Sequence, residues 1–202
     1  MKVLVEVSAR HVHLSKESFI NLFGKNAKLK FKKELSQKGQ FLTTLKVDII
    51  TSDGTIKDVS ILGPLRSNTQ VEVSVTDSLK LGVDVPVRES GNIKNTPGCL
   101  LIGPKGKTRI SNGLIVAKRH LHLCADSARQ TLIKNGDSVC VDVRTESRSL
   151  IFRDVIARIS ENFSDVLHLD TDEANAAGIS GKVFGDIKNE QRNKKGVGKS
   201  SK

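Results

Sequence analysis

The sequence contains no tryptophan or tyrosine, and its seven phenylalanines form no stacking motif. Proteins that grip single-stranded nucleic acid do so on aromatic platforms, so no nucleic-acid partner is expected on that ground. No apolar run approaches the roughly 20 residues needed to cross a bilayer, which gives no membrane partner either. The opening residues Met1-Lys2-Val3-Leu4-Val5-Glu6-Val7 lack the apolar stretch and small-residue cleavage site of a secretory signal and read as a strand. Cysteine is scarce: Cys99, Cys124 and Cys140 are odd in number and no CxxC occurs. A disulfide framework and a cysteine-zinc site are both disfavoured, and a reducing, cytoplasmic compartment is the natural expectation. Neither a P-loop nor a GxGxxG fingerprint is present, so kinase and Rossmann dehydrogenase chemistry find no support.

Positive charge, by contrast, is abundant, at a formal net +11. The stretch from Lys188 to Lys202 holds six cations against Glu190, a net +5, and reads as a basic disordered tail over 188–202. That leaves +6 on the body, which suits an anionic ligand such as phosphate or coenzyme A. Hydrophobic content of 37% over 202 residues is enough for one or two small globular cores.

Short strands punctuated by turns dominate the body. The pattern predicts a helix over Lys16–Phe23, capped by Ser15 and closed by Gly24, then a basic loop through Lys28, Lys30, Lys32 and Lys33. Strands are predicted over Phe41–Thr51 and Thr55–Leu62, joined at Ser52-Asp53-Gly54, with Gly63-Pro64 breaking the second. Thr69–Val75 alternates, with Val71, Val73 and Val75 on one face and Gln70, Glu72 and Ser74 on the other. A helical turn is expected at Asp77–Leu81, and Pro86 to Pro97 reads as loop. The second half repeats the plan: strands at Leu100–Ile102, Thr108–Ile110, Leu114–Ala117, Ser138–Val143, Leu150–Ile159 and Asp165–Leu169, with helices at Asp126–Ile133 and just before Gly178. This is a mainly β chain with short helices, and its many short strands favour two β-barrel domains from an internal duplication. The expected organisation is a first barrel half over 1–85, a crossover with shared strands over 86–113, a second half over 114–187, and the tail.

All five histidines fall in two near-copies of one phrase plus a single partner. The copies are Arg10-His11-Val12-His13-Leu14 and Arg119-His120-Leu121-His122-Leu123, with the first histidines 109 positions apart; the fifth is His168. On a strand, residues i and i+2 share a face, so each pair converges; on a helix they would splay by about 200°. Two converging imidazoles are a common beginning of a transition-metal site. Each pair wants a third ligand. His168 is the spare histidine, and Glu72 is the sole carboxylate on the polar face of Thr69–Val75. Three nitrogen and oxygen ligands with open positions is the pattern of a catalytic metal, with zinc preferred and cobalt or another divalent ion chemically admissible. A lone H-x-H is weak evidence, since strand histidines are often structural, but the duplication counts against that reading. Glu72 by itself could be a solvated strand residue. Arg66 is either a surface charge or an anion contact near the metal, and Lys28–Lys33 either a solvated loop or a seat for nucleotide phosphates.

Beyond these patterns, seven segments together resemble the PduL-type phosphotransacylases, the phosphate propanoyltransferase family. They are Val7–Ser15, Leu35–Phe41, Ile61–Arg66, Thr69–Glu72, Pro86–Gly91, Ala117–Leu123 and His168–Asn175, and the resemblance spans Lys2 to about Ile179 in order. It implies two β-barrels capped by short helices, an active site between them, and two zinc ions. His11, His13 and Glu72 then correspond to one metal and His120, His122 and His168 to the other. Arg66, in the Leu-Gly-Pro-x-Arg segment, corresponds to a catalytic phosphate contact, and Ser8, Ala9, Arg10, Lys33 and Asn175 match positions near coenzyme A. The implied substrates are acyl-CoA and inorganic phosphate, and a homodimer is the implied assembly. Two departures stand out: Ser60 occupies a position where such proteins often carry an arginine that helps hold coenzyme A, and no N-terminal encapsulation segment for a microcompartment lumen precedes the first strand.

The resemblance thus leads to an expected reaction: reversible transfer of a short acyl group, propanoyl or acetyl, by direct attack of zinc-bound phosphate on the thioester. The competing expectations are a dizinc thioester or phosphoester hydrolase and, from another class, a zinc-stabilised basic nucleic-acid-binding module.

Overall fold

The computed structural model describes residues 1–188. In chain order the elements are β1 (Lys2–Val7), β2 (His11–Ser15), α1 (Lys16–Phe23), β3 (Phe31–Glu34), β4 (Phe41–Ile50), β5 (Thr55–Arg66), β6 (Gln70–Val73), α2 (Val75–Leu81), β7 (Val87–Arg88), β8 (Cys99–Ile102), β9 (Lys107–Ile110), β10 (Leu114–Ala117), β11 (His120–Leu123), α3 (Ala125–Thr131), β12 (Ser138–Val143), β13 (Leu150–Ile159), β14 (Val166–Leu169), α4 (Thr171–Ala176) and β15 (Val183–Lys188). Among the described residues the chain is mainly β with four short helices, as its turn-rich pattern predicts. Contacts group it into two units. One is a closed barrel in the order β1-β14-β11-β13-β12-β15. The other is a nine-stranded, curled, half-barrel sheet in the order β7-β10-β6-β2-β5-β4-β8-β9, with β3 added on β4.

Contact grouping does not follow a simple cut along the chain. Met1–Val7 belongs with Arg119–Leu169 and the described residues from Glu173 to Lys188, whereas Ser8–Lys118 forms the other unit with Asp170–Asp172. The strand before each H-x-H phrase is therefore exchanged: β1 sits in the barrel and leads to β2 in the sheet, while β10 sits in the sheet and leads to β11 in the barrel. Pairing partners correspond as well. β2 runs parallel to β5 and antiparallel to β6, and β11 runs parallel to β13 and antiparallel to β14.

Each unit has its own apolar core. Val12 and Leu14 alternate with the histidines of β2 and enter one core; Leu121 and Leu123 do the same on β11. All four are fully buried, and each such side chain contributes about 1.5–3 kcal/mol.

Several local expectations are corrected. Gly63-Pro64 does not end β5; the peptide is cis, and the strand continues to Arg66. A bulge absorbs the change: from His13 to Ser15 the β2 chain advances two residues while β5 advances four, from Leu62 to Arg66. Proline is tolerated in a sheet at such bulges. Val75 is not on the β6 face but begins α2, because Ser74 accepts the Asp77 amide in a capping box. The basic loop contains a short edge strand, β3, whose exposed lysines suit an unpaired sheet edge. The loop after Pro86 holds β7. β15, unforeseen, closes the barrel between β1 and β12, with Gly185 lying where a Cβ would run into Val141. Lys188 is the last residue of β15, and the rest of the expected tail lies outside the described residues.

α3 ends differently from α2. Gly82 closes α2 in the left-handed region, whereas Leu132 takes that role at φ 58 with 69% of its surface exposed. A leucine there carries a steric cost of about 1–2 kcal/mol that glycine avoids. Leu132→Gly is expected to raise the thermal midpoint, by about 0.5–1 kcal/mol in stability after the entropy of the more flexible unfolded chain. A lowered midpoint in thermal melts would contradict the assignment.

Candidate functional site

The metal-competent groups arise from strand register. β2 pairs with β6 so that His11 lies opposite Glu72 and His13 opposite Gln70. In the barrel, β11 pairs with β14 so that His120 lies opposite His168 and His122 opposite Val166. Each unit thus brings together the three residues expected for it: His11, His13 and Glu72 in one, His120, His122 and His168 in the other, with ligand atoms within 4.8 Å inside each triad.

In the first triad, His11 Nδ1 lies 2.9 Å from the Ala9 carbonyl. A carbonyl only accepts, so Nδ1 carries the proton and Nε2 is turned toward the site. His11 Nε2 is 3.1 Å from His13 Nε2 and 3.5 Å from Glu72 Oε2; His13 Nε2 is 3.8 Å from Glu72 Oε1. A tetrahedral ion with ligand bonds of 2.0–2.1 Å separates its ligands by about 3.3 Å, so these edges match one cation's shell. Burial pushes His13 down to about 3, helped by His11 and Arg66, and so keeps its imidazole neutral. For His11, burial acts in the same direction but Glu72 outweighs it, and the net shift is upward. Burial would raise the Glu72 carboxyl, yet the facing His11, then His13 and the Ser90 hydroxyl, hold it well below the usual carboxylate range. A buried carboxylate beside imidazoles is a donor set suited to a divalent ion.

The second triad is all imidazole. Ring centroids lie 4.8 Å apart for His120 and His122, 5.0 Å for His120 and His168, and 5.0 Å for His122 and His168. Phe163 lies 4.2 Å from the His122 ring. Burial, with His120 and Arg158, lowers His122 to about 3. His13 and His122 each also carry a buried Nδ1 with no hydrogen-bond partner. Three imidazole nitrogen donors suit zinc or a neighbouring transition metal, so both donor sets fit the expected ion.

Arg66 lies at the end of β5, half-buried, with Nη1 donating to Ser90 Oγ at 3.2 Å. Its charge acts on both His11 and His13, which sets it beside the first triad. Ser90 donates in turn to Glu72 Oε1 at 2.8 Å, and Gln70 donates to the same oxygen at 2.6 Å. Sequence reasoning did not single out Ser90 or Gln70, although both lie within the segments that carry the family resemblance.

The expected coenzyme A residues are more dispersed. Ser8, Ala9 and Arg10 form the link from β1 to β2, Lys33 is exposed on β3, and Asn175 is exposed on α4. Arg10 makes a 2.7 Å ion pair through Nε with the buried Asp77. Arg119 makes the same 2.7 Å pair with Glu173. Both carboxylates are the third residue of the helix that follows the third-ligand strand, and both pairs keep the offsets of 109 and 96 positions that relate the triads. Ser60 lies opposite His11 on β5.

This defines a class: a two-unit β protein with two three-ligand metal-competent centres, one beside an anion-competent arginine. Comparison with known proteins makes it specific. The family model for phosphate propanoyltransferase matches residues 4–180. Relatives named phosphate propanoyltransferase include one from Thermotoga maritima, 47% identical over 87% of this chain and 83% of its own. Another from Listeria monocytogenes is 44% identical over 92% of this chain and 86% of its own. One from Enterococcus faecalis is 46% identical over 87% and 83%. The chain belongs to the phosphate propanoyltransferase family, a family of acyltransferase enzymes.

A pH prediction follows from His122. Between the ordinary histidine value of 6.5 and about 3, the unfolded chain takes a proton that the folded chain refuses. Stability of the metal-free protein therefore falls as pH falls through that window, by up to about 1.4 kcal/mol per pH unit from this group. Metal-free His122→Gln is expected to lose its thermal midpoint less steeply between about pH 6.5 and about pH 4 than metal-free wild type. Superimposable profiles would show that the folded imidazole is not held neutral.

Proposed function

We propose that this chain transfers a short acyl group between coenzyme A and inorganic phosphate, giving acyl phosphate from acyl-CoA. Family membership supports the reaction class, and one observation carries the assignment to this site: Arg66 stands beside the His11, His13 and Glu72 triad and is joined to Glu72 through Ser90. A guanidinium next to a metal-competent centre is suited to an oxyanion with several oxygens.

In this reading His11, His13 and Glu72 hold one divalent ion, and His120, His122 and His168 hold another, zinc being the first choice. When bound, the ions act as Lewis acids and offset the charge of phosphate and of the developing oxyanion. Arg66 binds phosphate oxygens and orients one of them toward the thioester carbonyl. That oxygen's lone pair forms the new C–O bond; the C–S bond then breaks, and its electron pair leaves with the coenzyme A thiolate. Exposed Lys33 and the Ser8-Ala9-Arg10 link are available to the anionic coenzyme, as is Asn175 on α4. A cysteine acyl-enzyme has little support. Cys99 and Cys140 are buried, burial pushes the Cys99 thiol up to about 12, and the Cys124 sulfur serves as the cap of α3.

The test is thiol release from acetyl-CoA and propanoyl-CoA with and without inorganic phosphate. Release should require phosphate and yield acyl phosphate; release without it would identify a hydrolase. Arg66→Ala should lower kcat/KM for phosphate by about 10–100-fold, the worth of a charge-assisted contact. His11→Ala and His120→Ala should each cost more than that, together with loss of metal. Full activity in metal-free protein would overturn the proposal, and parallel initial-velocity lines with a trapped acyl-protein would overturn direct transfer.

A further inference from the structure

Gln70 lies two residues before Glu72 on β6, so the two side chains share a face. Its carboxamide is 2% exposed and fully engaged. Oε1 accepts the Gly91 amide at 2.7 Å, which fixes the orientation of the group, because a backbone N–H can only donate. Nε2 then donates one hydrogen to Glu72 Oε1 at 2.6 Å and the other to Ser90 Oγ at 2.9 Å. Ser90 already accepts from Arg66, so its single proton is directed to Glu72 Oε1. One oxygen of Glu72 is thereby held by two donors, and Oε2 is the oxygen that faces His11 Nε2.

The second triad provides an internal control. The position matching Glu72 is His168, and the position matching Gln70 is Val166, by the same strand register. The amide accompanies the carboxylate ligand, and where the ligand is imidazole the amide is replaced by a side chain with no hydrogen-bonding group. We propose that Gln70 is a positioning residue for the first metal centre: it ties up Oε1 of Glu72 and presents Oε2 alone as the ligand. This rests on the reading that His11, His13 and Glu72 bind a metal.

The experiment measures zinc per chain, and zinc release to a chromogenic chelator, in wild type, His11→Ala, Gln70→Val and Gln70→Val/Glu72→His. His11→Ala should hold one zinc fewer than wild type. Gln70→Val should give up its first zinc with about 10–100-fold weaker affinity, the usual effect of removing a ligand's outer partner, and keep the second. The double variant, which copies the second triad, should recover first-site retention. If Gln70→Val does not fold, Gln70→Glu, of the same shape but unable to donate when ionised, is read in the same way. Wild-type retention in the position-70 variant would overturn the inference. So would a double variant as leaky as the single one, since that indicates general damage at position 70. Equal zinc in wild type and His11→Ala would instead overturn the metal reading, and this inference with it.

Discussion

Antiparallel register is the constraint on which both centres depend. A two-residue period aligns His11 with His13 and His120 with His122, but a pair of imidazoles is not a three-ligand site. The third metal-competent side chain comes from the neighbouring strand, directly opposite the first histidine: Glu72 on β6 and His168 on β14. A slip of one residue would turn Glu72 to the other face and bring Val71 or Val73 toward the histidines. Val71, Val73, Leu167 and Leu169 are buried in the two cores, so the slip would also drive Gln70, Glu72 and His168 toward apolar side chains with no polar partner. The hydrophobic pattern that stabilises the strands is therefore the pattern that assembles the ligands.

Duplication extends beyond the histidines. In each unit an arginine immediately before the H-x-H phrase is paired at 2.7 Å with a carboxylate at the third position of the helix that follows the third-ligand strand. The same end of each triad-bearing strand pair is thus held by the same ionic contact. Asp77 is nearly inaccessible, so Arg10 also compensates a buried charge that would otherwise be costly. Arg10 consequently has a structural role within its unit alongside the one implied at coenzyme A.

Legibility in the sequence followed the strength of local signals. The helix over Lys16–Phe23 was readable because Ser15 and Gly24 mark its ends and Phe19 and Leu22 its buried face. H-x-H on strands was readable because strand period is short and the phrase occurs twice. Less legible were features decided by distant pairing. β5 passes through Gly63-Pro64 because β4 pairs with it as far as Gly63 and β2 pairs with it again at Arg66, and neither partner is visible locally. β15 was missed because Gly185 interrupts its alternation, although that glycine lets it approach β12 closely. Gln70 and Ser90 were hidden for a similar reason: each is an ordinary polar residue until Glu72 is placed against both. The exchange of β1 and β10 left no local trace, since each strand reads the same in either unit.

The arginines bear on which ligands the two triads suit. Arg66 lowers the proton affinity of His11 and His13, and Arg158, opposite His122 on β13, does the same for His122. A cation that disfavours a proton on imidazole also disfavours a metal ion there, so these arginines act against tight metal retention. For a purely structural ion that arrangement would be counterproductive, and neutral surroundings would serve better. For a centre that must receive an anion, the same charge would draw that anion in. The loss is offset by geometry: imidazoles fixed on paired strands, a carboxylate held by two donors, and ligand edges close to one ion's shell. In the reaction we propose, such a site would trade some metal affinity for affinity toward oxyanions.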